Sequence, residues 1–397
     1  MSTPADFPVP RTCPFTPPDS YDAMRAAGPL TRVTIPSGKR AWLLTRHTDV
    51  RAALADPAAS SDARNPDFPA LGHGEQQVAA ELRPFIRMDP PDHTLVRRML
   101  VGEFTLKRTR ALGPVIEQTC HEQLARMLSL TPPVDLVTEY ANRVSTTVIC
   151  HLLGVPTEDL EFFRSITTVT GARSSTAEQV GAALNDLFAL INRLVDDKTA
   201  NPCDDLISRL ALGPLERGEI TRSSLLSQIG ITLNAGHETS RNMIPLAAVA
   251  LLRHPDQLAK LRDDPGRWPA AVDELLRYLS VADTITLRVA TADIELEGAT
   301  IPAGDAFIPL LGAANHDPAA FADPHVFDID RPERHHVAFG YGVHQCIGQN
   351  LGRLELEIAL RVLTDGAPAL ALTEPFEELP LKDTSAIFGL EQVRVSW

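Results

Sequence analysis

The sequence predicts a mainly α chain with a small β component. Three observations carry this. Apolar residues recur at three- and four-residue spacing over long stretches, the longest being 219–253. Alternating runs are few, short and bounded by Gly or Pro, as at 30–35 and 41–45. No internal repeat and no linker divides the 397 residues, so residues 1–397 are expected to form one domain.

Taken in order, the proline-rich residues 1–20 are expected to be extended, and 21–27 a short helix. The runs 30–35 and 41–45 flank Ser37-Gly38 and predict a hairpin. Residues 48–54 return to helical spacing. The stretch 56–74, rich in Pro, Ser, Gly and Asp, predicts a long loop of the kind that carries function. Helical patterning resumes over 92–130, with a break expected at Gly113-Pro114, and again over 136–153. Two helices, 159–169 and 177–197, flank a polar turn at 171–176, and 204–210 is a short helix. The longest helix takes Thr221 as a candidate N-cap. Pro245 lies inside it and should kink or loosen it by removing a donor. Helices 256–262 and 270–279 lead into short strands at 284–290, 294–296 and 306–310. Residues 312–338 are irregular and rich in Pro, Asp and His. A helix over 349–363 and terminal strands at 369–372 and 392–395 complete the chain.

The net charge of −14, from 37 basic and 51 acidic residues, disfavours general nucleic-acid binding. Five widely spaced cysteines (Cys13, Cys120, Cys150, Cys203, Cys346) form no CxxC, so neither a disulfide framework nor a zinc site is expected. The first ten residues carry Asp6 and three prolines rather than an apolar run, and no stretch is long and apolar enough to span a bilayer. These features predict a soluble, cytoplasmic protein without membrane contact, and a monomer.

Chemistry concentrates at 339–348, Phe-Gly-Tyr-Gly-Val-His-Gln-Cys-Ile-Gly. Glycines permit positive φ and close backbone approach to a flat object. The following helix start offers free N–H groups and partial positive charge, which favour a thiolate at Cys346. Phe339 can shield one side of the sulfur. The bland alternative is a buried core cysteine in a turn.

Within the longest helix, Ala235-Gly236-His237-Glu238-Thr239 sets an acid and a hydroxyl beside two small residues. Gly236 weakens the helix locally, and a carbonyl freed there can hold water. Glu238 and Thr239 can then pass protons. The alternative is that Thr239 back-bonds one turn earlier and Glu238 pairs with a neighbouring charge. Glu274 and Arg277, three apart, share a helix face and by themselves read as a surface ion pair. His93 and Arg97, four apart, also share a face and suit an anion, or are simply solvated.

The spacing Phe339-x-x-Gly342-x-x-x-Cys346-x-Gly348 resembles the cysteine-ligand loop of the cytochrome P450 haem-thiolate monooxygenases. Residues 235–239 are similar to that family's Ala/Gly-Gly-x-Asp/Glu-Thr motif. Helix order and strand placement resemble the cytochrome P450 fold over nearly the whole chain, a long central helix over haem with the cysteine loop beneath.

The resemblance implies haem b and O2 as cofactors, with Cys346 as the iron ligand and Thr239 and Glu238 managing protons opposite it. It implies haem contacts from Phe339, Gly340, Gly348 and Ala235, and propionate contacts from His93, Arg97, Arg288 and His344. It makes Glu274, Arg277 and Arg331 a structural network holding the cysteine loop. By the same analogy Leu233, Asn234, Ile285, Leu287, Ile387 and Phe388 line the substrate pocket, aided by the loop at 62–88 and the helix pair at 160–195. Phe162, Phe163, Ile166, Val169 and Leu187 of that pair either line it or pack the core.

Electrons are expected from a ferredoxin and its reductase, drawing on NAD(P)H and docking at Arg98, Lys107, Arg108, Arg110 and Arg353. The implied substrate is a mostly apolar small molecule such as a secondary metabolite, sterol-like compound or xenobiotic. A haem-dependent peroxygenase and a non-catalytic haem-binding sensor are the rival readings, and Glu238-Thr239 counts against the first. Asn234 and His316 stand where the family more often has an apolar residue and an arginine.

Overall fold

The computed structural model describes residues 5–72, 75–171, 176–382 and 386–397. The turn expected at 171–176 lies mostly outside them, as do the last two residues of the 56–74 loop.

The longest helix, Arg222–Arg253, is capped as its sequence suggests. The Thr221 hydroxyl accepts from Ser224 N at 3.2 Å, and Pro255 opens the next helix. At 32 residues it spans about 48 Å. The expected disruption at Pro245 does not interrupt it. Residues 242 to 251 are all buried, so packing on every side outweighs the donor that proline removes. A second expectation is corrected in the same way. The 92–130 stretch does not break at Gly113-Pro114. It divides after Asp92–Val101, at the tight turn Gly102–Phe104, and Thr105 then caps Leu106–Leu128, which runs through Pro114. Ile116, Cys120, Leu124 and Met127 bury one stripe of that helix against Gln349–Gly366, and this contact holds it together.

The largest sheet is mixed, and most of its pairings are long-range. Its order is Ala5–Asp6, Thr31–Thr34, Arg40–Leu44, Ala306–Pro309, Arg288–Ala290 and Ala59–Ser60. The hairpin at 31–44 forms as patterned, with Arg32 opposite Trp42. Its outer strand then pairs in parallel with 306–309, placing Leu43 beside Ile308. The strand at 284–290 shortens to its last three residues, and 59–60, 134–135 and 299–301 add strands the patterning does not show.

One apolar cluster fills the space between the long helices, and two smaller ones lie against the sheet. No helix among the described residues is long and apolar enough to cross a membrane. All five cysteines carry free thiols.

Candidate active site

The segment before Gln349–Gly366 is shaped by two glycines at positive φ, Gly340 at 69° and Gly342 at 73°. At Gly342 a side chain is excluded twice, since a Cβ there would stand 2.3 Å from the carbonyl oxygen of Leu54. Gly340 N donates to Val337 O, and Cys346 N donates to Phe339 O at 2.8 Å, closing the loop on itself. Arg353 covers the Phe339 ring at 4.5 Å. The helix start does not make Cys346 a thiolate unaided. Burial pushes the thiol up, and the backbone of Gly348, Arg97 and Arg353 only partly offset it. Coordination to a metal ion would deprotonate the sulfur outright.

Behind this loop stands a fully buried network rather than a surface pair. Arg277 donates to both oxygens of Glu274, at 2.7 and 2.8 Å, and Arg331 Nε reaches Glu274 Oε1 at 3.1 Å. Arg277 also donates to the carbonyls of Asn315 and Pro324, and Arg331 to those of Ala322, Asp323 and Val326. These bonds tie down the irregular chain after residue 315. Asn315 Oδ1 passes the constraint on, accepting from Val337 N at 2.7 Å just before the cysteine loop. His316 is buried beside it and bonds Gly312 O through Nδ1.

Cys346 borders a cavity of about 1590 Å³, counting its open mouth. Phe339, Gly340, His344, Gly348, Arg97, Ala235, Thr239 and Ile285 also line it. The walls are largely apolar, with Val148, Ile149, Ile231, Met243 and Val281 contributing.

At one edge lies an unusual polar set. Arg97 donates to Gln345 O at 2.5 Å and Arg288 to Leu287 O at 2.8 Å, and neither bonds a carboxylate among the described residues. Burial and the neighbouring Arg87 push Arg288 down to about 9. The His93 and His344 rings stand 4.1 Å apart. Both nitrogens of buried His93 and Nδ1 of His344 have no partner, while His344 Nε2 meets Ser61 Oγ at 2.9 Å. Burial, with arginines close by, lowers His93 to about 4 and His344 to about 2. Buried donors without anions, beside a large apolar slot and a thiol, fit a flat macrocycle bearing two carboxylates. The residues present therefore fit haem.

Across the cavity from Cys346 runs the 222–253 helix. Gly236 permits the crossing with 142–153, since a Cβ there would come within 2.5 Å of Ile149 Cδ1. Thr239 Oγ1 donates to Ala235 O at 2.8 Å, the back-bonded alternative. Glu238 is not on the cavity wall. Its carboxylate is bonded by Lys382 and by Asn242 Nδ2 at 3.0 Å, with Arg241 at 3.7 Å. Burial raises the Glu238 carboxyl, but Lys382 and Arg241 outweigh it and the net shift is downward. The next residue after Thr239, Ser240, donates to Glu355 Oε2 at 2.7 Å. Burial pushes that carboxyl up to about 8, so Glu355 is a neutral acid on the cavity wall.

Several pocket positions assigned by analogy lie elsewhere. Leu233 and Phe388 are buried in the main core, and Leu287 in a smaller one. Ile387 is half-buried against the main core, and Asn234 is exposed off the cavity wall. The helix face, 100° per residue, explains Leu233 and Asn234, because Ala235 and Thr239 already occupy the cavity side. Phe163, Ile166 and Leu187 pack the core, whereas Phe85 and Ile86 reach the wall from the 62–88 region. Lys382, Glu355, Ser61 and Arg87 were not assigned to the site. Lys382 arrives from a distant segment, while Ser61, Arg87 and Glu355 lie in segments already expected near the site, where no local pattern says which side chains turn inward.

The family described as Cytochrome P450 matches residues 268–363. Pentalenic acid synthase of Streptomyces avermitilis is 44% identical over all of this chain and 98% of its own length. The structure of CYP105N1 from Streptomyces coelicolor A3(2) superposes with a TM-score of 0.94 at 53% identity, covering 100% of this chain and 99% of that one. Mycinamicin VIII C21 methyl hydroxylase from Micromonospora griseorubida, solved bound to mycinamicin VIII, gives 0.92 at 42% identity over 99% and 100%.

Proposed function

Because the chain belongs to the cytochrome P450 family and is a haem-thiolate monooxygenase, we propose that it hydroxylates a mostly apolar secondary metabolite at the Cys346 cavity. One observation carries this reading. A single cysteine on a glycine loop faces Thr239 across a large, mainly apolar cavity. Haem, when bound, supplies the activation of O2 and the insertion of one oxygen atom into the substrate. The chain's own residues do the rest. Cys346 Sγ is the iron ligand, and its loop is kept rigid by Glu274, Arg277 and Arg331. Arg97, Arg288, His93 and His344 would hold the two propionates with charge-assisted hydrogen bonds. Phe339, Gly340, Gly348 and Ala235, all on the cavity wall, would contact the ring. Ile149, Ile231, Met243 and Ile285 exclude water and orient the substrate. Thr239 gives up its bond to Ala235 O to donate into the cavity, and Glu238 resupplies the proton.

The relatives named for pentalenic acid and mycinamicin VIII support a substrate class of terpenoid- or macrolide-like size. Electrons come from a ferredoxin served by an NAD(P)H-dependent reductase. Its dock is the face carrying exposed Arg98, Lys107 and Arg110 around Leu95, Val101, Leu106 and Val343. Arg108 and Arg353 also belong to that face, although Arg108 pairs with Glu103 and Asp204, and Arg353 with Asp273. We assign residues 1–397 to one working domain and the protein to the cytoplasm, where its free thiols stay reduced.

The test is a spectral-shift screen of metabolite libraries against the ferric protein, followed by product analysis with a ferredoxin and reductase. Binding of a hydrophobic metabolite and formation of its hydroxylated product are expected. Reductant consumption that no ligand stimulates would overturn the reading.

A further inference from the structure

Lys382 comes to Glu238 from the other end of the chain. It lies in a segment closed by an antiparallel bridge between Leu381 and Leu390, and its N donates to Gly389 O at 2.9 Å. This segment is seated directly on the long helix. A Cβ on Gly389 would stand 2.2 Å from Asn242 Oδ1, so only the bare backbone fits. Asn242 in turn donates to Glu238 O at 2.8 Å and to Glu238 Oε1 at 3.0 Å. Lys382 itself is 3% exposed, and a buried ammonium needs a counter-charge. Glu238 provides it.

We propose that Lys382 is the positioning residue of the proton relay, holding the Glu238 carboxylate off the cavity wall between transfers. The inference rests on Glu238 being the relay acid. In each transfer Glu238 takes one proton from solvent hydronium, leaving water, and Thr239 accepts it while passing its own hydroxyl proton into the cavity, where it matches an electron supplied by the reductant. The carboxylate then returns unchanged to Lys382. The groups facing Glu238 are Lys382, Arg241 at 3.7 Å, His237 Nδ1 at 3.9 Å and Asn242. Among the described residues, Lys382 alone of these comes from outside the helix. Without it, burial acts on Glu238 with Arg241 as the one remaining full charge nearby. The Glu238 carboxyl then shifts upward, because burial loses its main opponent.

The experiment compares holoenzymes carrying Lys382→Met, Lys382→Arg, Glu238→Gln and the Lys382→Met/Glu238→Gln pair. An intact reduced carbon-monoxide spectrum verifies the fold of each. The first readout is the infrared band of protonated carboxyl groups from pH 5.5 to 8.5. The second is the hydrogen peroxide released per NADPH consumed with a surrogate ferredoxin and reductase. Lys382→Met should gain a titrating carboxyl band that vanishes in the double variant. Its peroxide fraction should become pH-dependent by several-fold, and Lys382→Arg should restore the parent behaviour. Glu355 contributes the same background band to every variant. If Lys382→Met titrates like the parent while Glu238→Gln raises peroxide, the positioning role falls and the relay stands. If Glu238→Gln leaves peroxide unchanged, the relay itself falls and takes this inference with it.

Discussion

The two sides of the cavity are built on opposite plans. On the cysteine side, ligand, shield and turn lie within ten consecutive residues, and the bracing uses buried, fully bonded charges. On the Thr239 side, the helix supplies only part of the apparatus. Glu238 is set by Lys382, more than 140 residues away, and Ser240 by Glu355, more than 110 away. The first side must hold one geometry, since an iron ligand displaced by an ångström no longer binds. In the proposed relay the second exchanges partners in each turnover, because a proton cannot move through bonds that never open. Buried, saturated networks suit the first task, and an ion pair with few members suits the second.

The sharpest way to break this contrast is to cut the bracing. Arg277→Ala leaves Glu274 and several carbonyls buried without their donor and should cost about 3–5 kcal/mol. Denaturant melts should fall accordingly, and haem occupancy with them. A variant that keeps its haem would show that the loop stands unaided.

Glu238→Gln should act oppositely on the haem, leaving its content intact, although buried Lys382 loses its counter-charge and stability falls by roughly 3 kcal/mol. Coupled turnover should drop by about 10²-fold, read as product per reductant. Thr239→Ala should shift the same ratio in the same direction.

Acid should weaken the distal side through His237. Burial lowers this imidazole from 6.5 to about 4, and its Nε2 bonds Asn142 Oδ1. The unfolded chain therefore takes up a proton at a pH where the folded chain does not. Stability from this group is complete above about 6.5 and lost as pH falls toward 4, a change on the order of 3 kcal/mol. Unfolding free energy between pH 7 and 4.5 should drop less steeply in His237→Gln than in the parent.

Gly342→Ala tests the loop itself. Positive φ and the clash with the Leu54 carbonyl should destabilise it by roughly 1–3 kcal/mol. The smallest effect belongs to the surface. Reversing Arg98 should slow ferredoxin-supported turnover a few-fold at low salt and leave it unchanged at high salt, where screening removes the attraction. A rate that ignores both would move the dock elsewhere.

What could be read without coordinates was whatever one helix face or one turn contains. Thr221 as cap, the cysteine loop, the Glu274–Arg277 spacing and the pairing of 31–34 with 40–44 are all local. Pro245 and Pro114 misled because propensity is a weak term against tertiary packing, whether on every side as around Pro245 or along the one buried stripe of 106–128, and that burial is a property of their neighbours. Leu233, Leu287 and Phe388 were assigned to the cavity on position alone, and position along a chain does not say which way a side chain points.

Sequence by itself determined the helical class and the glycine turn that carries Cys346, because each depends on adjacent side chains and their φ/ψ needs, while the bracing by Glu274, Arg277 and Arg331 was implied by the family resemblance. The tertiary structure alone decided that 40–44 pairs with 306–309, that His93, Arg97, Arg288 and His344 converge at one edge, and that Lys382 meets Glu238. Those contacts join segments from tens to more than 200 residues apart. Their cost and gain are settled by loop closure and burial, which no local pattern records.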